Sequence, residues 1–138
     1  MCYTYNMPKK KKKKWSKTKL NNELWKLVAK AIKKRDNYVC WHCKKTFVNF
    51  SAIHCSHILP KGQYPKYKYK SWNLKTLCMH CHLHWWHKNP VEAALWFAKE
   101  YPEQYNKALT MSNPQIYKQT PKQSYEELET LYKKLDKT

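Results

Sequence analysis

Two Cys-x-x-Cys pairs, Cys40/Cys43 and Cys78/Cys81, constrain this chain more than any other feature. Each pair lets two thiolates converge on one ion from a single tight turn, and four soft ligands of this kind make a closed structural zinc site. Six cysteines in a short chain could instead be disulfides. Histidines crowd around the pairs, however, and no apolar segment follows the N-terminal lysine run as an export signal would require, so zinc in a reducing compartment is the expectation. Of the two cysteines left over, Cys2 reads as a tail thiol and Cys55 as a small buried residue on a strand, with a second metal nearby as the alternative for Cys55.

A metal staple suits a chain of this size. Its 138 residues allow one compact domain plus tails. A mean hydropathy of −0.95 leaves much of that length solvated, while seven Trp and eleven Tyr argue against disorder. The expected core is small and aromatic, the kind that gains from bound zinc.

Charge points to the partner. Twenty-eight Lys and Arg against nine Asp and Glu leave a formal charge of +19, an excess that repels itself unless it meets a polyanion such as DNA. Arg35 is the only arginine, so phosphate is met by lysine point charges, which lack the fork that reads guanine. Backbone and shape recognition is therefore expected more than sequence readout. A membrane partner is not expected, because no apolar run approaches a spanning length of roughly 18 residues and no long basic amphipathic helix is present.

Along the chain, residues 1–15 read as a basic arm containing six consecutive lysines, Lys9 to Lys14. It serves as a DNA tether, a solubilising tail or a nuclear-targeting patch. From Ser16, Leu20, Leu24, Leu27, Val28, Ala31 and Ile32 recur at helical spacing. The opposite face carries Lys19, Lys26, Lys30, Lys33 and Lys34, either solvated or against phosphate. Residues 46–58 are β-rich, with Phe47, Val48, Phe50 and Ile53 suited to a hairpin.

Residues 60–72 form a loop in which Lys61, Lys66, Lys68 and Lys70 alternate with aromatics. Lysines on phosphate with Tyr67 and Tyr69 stacking on bases is one reading; a strand with Tyr inward and Lys outward is the other. A short strand or turn at 72–77 and a helix opened by the second cysteine pair follow. Asn89-Pro90 starts another helix, with Val91, Ala94, Leu95 and Ala98 as its expected core stripe, widened by Trp96 and Phe97. A shorter helix runs from Pro102 to about Leu109. Residues 111–123 read as a linker, and Ser124-x-x-Glu127 is a capping box opening an amphipathic helix over 124–138. That helix either clamps the domain or makes a homodimer contact.

Between the cysteine pairs lie His57 and Asn73, and His82 directly follows the last cysteine. This His, Asn, His order inside a zinc frame resembles the HNH (ββα-metal) endonucleases, and within them the phage recombination endonucleases of the NinG type. The resemblance covers residues 36–110 and implies an α+β fold, a small zinc-stapled HNH domain over 16–110 with flanking N- and C-terminal helices. It also implies phosphodiester hydrolysis on recombination or branched DNA. On the same basis His57 is the general base, His82 a ligand of a catalytic Mg²⁺ or Mn²⁺, and Asn73 the residue that bonds the intervening loop and orients the histidine.

Many family members carry Asp just before the base; here that place is Ser56, a poorer ligand, where NinG-type members carry Gly. His54 and His87 are candidates for the missing ligand, although at helical spacing His84 faces away from His82 and His87 is only partly aligned with it. His42 and His80 read as surface polar residues or phosphate contacts. The alternatives are a non-catalytic zinc module that binds nucleic acid, and a sequence-specific homing- or restriction-type HNH enzyme. The expected compartment is the cytoplasm of a prokaryotic host, or the nucleus for a eukaryotic or viral protein.

Overall fold

The computed structural model describes residues 13–118 and 123–137; most of the lysine run, Cys2 and part of the linker lie outside these. The architecture is α+β, in the order α1 (Lys17–Arg35), β1 (Ile53–His57), β2 (Leu74–Cys78), a π-helix (His80–Trp86), α2 (Pro90–Glu100), α3 (Pro102–Ser112) and α4 (Tyr125–Asp136). No helix among the described residues is long and apolar enough to cross a membrane.

Local chemistry explains α1. The Ser16 hydroxyl accepts from the Lys19 N–H at 3.1 Å, while Lys33, Lys34 and Arg35 occupy the last turn, where the helix dipole favours cations. Its buried face, Leu20, Leu24, Val28, Ala29 and Ile32, packs with Cys55, Leu74 and Leu128 into the larger core. The helix ends in an anchor. Arg35 pairs with Asp36 and donates to the carbonyls of Ser71 and Leu74, and Asp36 accepts from both the N–H and the hydroxyl of Thr76. The chain's one arginine is thus committed to fastening α1 onto β2.

Strand β1 pairs antiparallel with β2, Ser56 opposite Lys75 and His57 opposite Leu74. The hairpin expected within residues 46–58 does not form: its first half contributes one isolated bridge, Val39 to Thr46, and Val48 and Phe50 are exposed. Asn49 accepts from the Ser51 N–H and hydroxyl, which turns the chain, so the strand starts only at Ile53. Its partner lies beyond the loop, and β2 is buried along its whole length.

The expected stripe on α2 is also corrected. Ala93 and Phe97 are buried, whereas Val91 is 74 % and Leu95 69 % exposed. Trp86, Trp96 and Tyr101 gather around Phe97, and the larger area buried by aromatics sets the helix's rotation.

Helix α4 opens with a complete capping box, Ser124 with Glu127, and lies on α1. Leu128, Leu131, Tyr132 and Leu135 belong to the larger core, so the face left open to a second copy is occupied within the chain. Trp15 packs edge-on against Tyr132 and Lys14 lies over Tyr125, which draws the described end of the basic arm onto the domain.

Candidate metal centre and histidine-lined cleft

The four sulfurs of Cys40, Cys43, Cys78 and Cys81 lie within 4.8 Å of one another, a cluster that fits a structural zinc. Each turn aims its backbone at sulfur, as where the Cys81 N–H points to the Cys78 Sγ at 3.4 Å. Burial raises the Cys40 thiol, but backbone N–H groups of Cys78, Cys43 and His42 outweigh it and bring its pKa down. Burial pushes the Cys43 and Cys81 thiols up, with mutual repulsion among the sulfurs adding to it. Four such groups ionise together only around a cation. Lys44 closes the first turn with φ 62 and donates its N–H to the Cys40 carbonyl.

His42 is half-buried and engaged on both ring and nitrogen. Its ring stacks on Trp85 with centroids 3.6 Å apart, and its Nδ1 lies 3.3 Å from the Cys81 Sγ, where an N–H would buttress a metal-bound thiolate. His80 stays exposed on the π-helix, its ring near that of His84.

A cleft of about 810 Å³ opens between α1, the loop after β1, the π-helix and α2–α3. His54, His57, His82 and His87 all line it. His57 sits at the end of β1 with its ring stacked on Trp25, and its Nε2 is 3.0 Å from the Lys68 carbonyl oxygen. A carbonyl only accepts, so Nε2 carries the proton and Nδ1 keeps the lone pair. Burial depresses the pKa of His57 to about 4, with Lys61, Lys75 and Lys68 adding to the effect.

Asn73 is fully buried and spans the loop 58–73. Its Oδ1 accepts from the Leu59 N–H at 2.7 Å, and its Nδ2 donates to the carbonyls of Leu59 and Tyr67, each at 3.1 Å. The loop that supplies the Lys68 carbonyl is thereby tied at two points. Tyr67 and Tyr69, by contrast, face inward: Tyr67 is buried and donates to the Met111 carbonyl, and Tyr69 donates to Asn21. Their rings are engaged in packing within the domain, the inward alternative for this segment, and are not presented to stack on bases. Lys61 and Lys70 are exposed, Lys66 and Lys68 half-buried.

His82 is flanked by two imidazoles, with Nδ1 3.0 Å from the Nδ1 of His54 and Nε2 2.9 Å from the Nε2 of His87. The His87 neighbour was hidden from a helical reading because this turn is wound as a π-helix, its His87 N–H bonding the His82 carbonyl. Burial first, then the like charges of His87 and His54, bring the pKa of His82 down to about 4, which keeps its imidazole neutral near pH 7. No carboxylate lines the cleft among the described residues.

Sequence reasoning missed Lys75. It is 0 % exposed on β2, donates to the Ser56 hydroxyl and the His57 carbonyl, and sits 3.3 Å from the centre of the Trp86 ring. Burial holds its pKa well below the usual lysine value. It links the strand bearing His57 to the helix bearing His82.

No protein-family model, curated protein or solved structure matches the chain.

Proposed function

We propose that this protein is a metal-dependent DNA endonuclease of the HNH type, hydrolysing phosphodiester bonds on recombination or branched DNA. The observation that carries the reading is His57. Its Nε2 is tied to the Lys68 carbonyl, its Nδ1 lone pair is free, and it shares one cleft with His82. A neutral imidazole so held can take a proton from water as the water attacks phosphorus. Asn73 keeps the loop, and hence the His57 ring, in place. Lys61, Lys66, Lys68 and Lys70 supply phosphate contacts around it.

His82 would hold the catalytic ion through one ring nitrogen, with either His54 on its Nδ1 side or His87 on its Nε2 side as a second donor. Imidazole donors suit Zn²⁺, Fe²⁺ or Ni²⁺; Mg²⁺ and Mn²⁺ prefer oxygen, which here falls to water and the DNA phosphate. Bound there, a divalent ion supplies charge neutralisation on the phosphate and help for the departing 3′ oxygen. The cleft's lack of a carboxylate favours a second reading, a zinc module that binds nucleic acid without cutting it.

Nicking of supercoiled plasmid decides between them, with wild type and His57→Ala assayed in parallel with Mg²⁺, Mn²⁺, Zn²⁺ or Ni²⁺. Scission by the wild type alone supports the endonuclease. Salt-sensitive binding with no scission of plasmid or a four-way junction in any ion supports the binding module.

A further inference from the structure

Hydrolysis at His57 needs only a groove for the DNA backbone, yet the cleft beside it is roomy and walled largely by apolar and aromatic residues. At about 810 Å³ it falls in the size range of sites that enclose a small organic molecule. Trp25, Trp86, Phe97 and Leu109 contribute walls, and Lys33 and Lys61 are the cations lining it. Leu109 is 53 % exposed and Ala94 is exposed too, so apolar surface is left open next to the polar histidines. Such a surface marks a ligand site when its surroundings complement the ligand.

A ligand fitting both the apolar walls and the lysines must combine a flat ring with an anionic group. A nucleotide does so. In a duplex the ring is locked in the stack, and extracting it costs a few kcal/mol, a cost that vanishes where the strand is already unpaired.

We infer that this cleft receives one unpaired nucleobase of the DNA strand being cut, so that the protein selects sites where a nucleotide is unstacked. The inference rests on the same reading of the cleft as a nucleic-acid site, and gives its apolar half a role. Trp25 stacks on His57 with ring centroids 5.0 Å apart, so the wall and the proposed base are in contact. A nucleotide whose base enters there carries its own phosphate to the same cleft that His57 lines. Apolar packing of the base against these walls tolerates any base, consistent with a chain poor in arginine.

Binding alone tests this, with the uncleaving His57→Ala protein and no added divalent ion. Three DNA probes of equal length carry 2-aminopurine as a single-nucleotide bulge, 2-aminopurine fully paired, or an abasic nucleotide in the bulge. The bulged base is expected to bind about tenfold tighter than the paired one, with its fluorescence changed on binding, and the abasic bulge to lose that advantage. Ala94→Trp, which fills the cleft from an exposed position, is expected to abolish the preference and leave duplex binding unchanged. Leu109→Trp is a second filling variant, read the same way should Ala94→Trp fail to fold by circular dichroism.

Equal affinity for bulge and duplex, an abasic bulge bound as tightly as the bulged base, or a preference that survives a folded filling variant would overturn the inference. None of these readouts depends on hydrolysis. A protein that prefers the unpaired base but never cuts keeps the inference and loses the endonuclease reading; one that cuts but binds all three probes alike does the reverse.

Discussion

The Nε2 of His57 donates to the carbonyl of Lys68, eleven residues further along, at 3.0 Å. That bond fixes the tautomer, and burial then keeps the ring neutral far below the ordinary histidine range, with a pKa of about 4. If His57 is the base, cleavage therefore stays level as pH falls from neutrality to about 5.5, where a solvent-exposed histidine would lose about tenfold. A pH-rate profile checks it: an acid limb near 6.5 would show that His57 titrates freely in the reacting complex.

The same shift bears on stability. The unfolded chain binds a proton at His57 more readily than the folded one, so its contribution is fully present above about pH 6.5 and is lost as pH drops from there toward 4. Melting curves of wild type and His57→Ala at several pH values should converge over that window.

Asn73→Ala should damage the site through the loop. It removes three hydrogen bonds and strands the Leu59 N–H and the Leu59 and Tyr67 carbonyls in a half-buried setting, a loss of about 2–3 kcal/mol. Denaturant unfolding should show that loss. Cleavage should fall further than stability predicts, because the Lys68 carbonyl that orients His57 rides on the same loop. Unchanged turnover in a folded Asn73→Ala protein would detach the loop from the chemistry.

Metal analysis should return one tightly held zinc per chain, absent from Cys78→Ser. The smaller core, Leu77, Trp85 and Ala93 with Trp41, Phe47, Trp86 and Trp96 packed against them, is built directly around the cysteines. Zinc contributes on the order of 10 kcal/mol to such domains, comparable with the whole stability of an ordinary fold. Chelation is thus expected to abolish cooperative unfolding, and His42→Ala, which keeps all four sulfurs, to speed zinc release to a chelator about tenfold or more.

What could be read from the sequence were the features whose signals are local. Cys40/Cys43 and Cys78/Cys81 declare their geometry by spacing, Ser16 and the Ser124–Glu127 box declare helix starts, and each was found in place. The features that escaped are set by partners distant in the chain. A strand through Cys55 is legible in the sequence, but its pairing with Leu74–Cys78 across the loop, in place of a hairpin within 46–58, is not. Nothing local to Lys75 signals its burial, which comes from Trp86 lying over its side-chain nitrogen. His87 joins His82 because the helix takes the π form, which the apolar periodicity of that stretch does not encode.

The packing of α4 on α1 makes the last prediction. Leu128 is 2 % exposed among Leu20, Leu24 and Val28, and deleting most of a side chain so enclosed costs about 2–5 kcal/mol. Leu128→Ala should therefore unfold at distinctly lower denaturant, although it lies on a different element from every proposed site residue. Because Leu131, Tyr132 and Leu135 are also engaged with α1, wild-type protein is expected to sediment as a monomer, and truncation before Ser124 to bare the α1 face and promote association. A wild-type dimer that Leu128→Ala dissociates without unfolding would instead mean that the helix is exchanged between two copies.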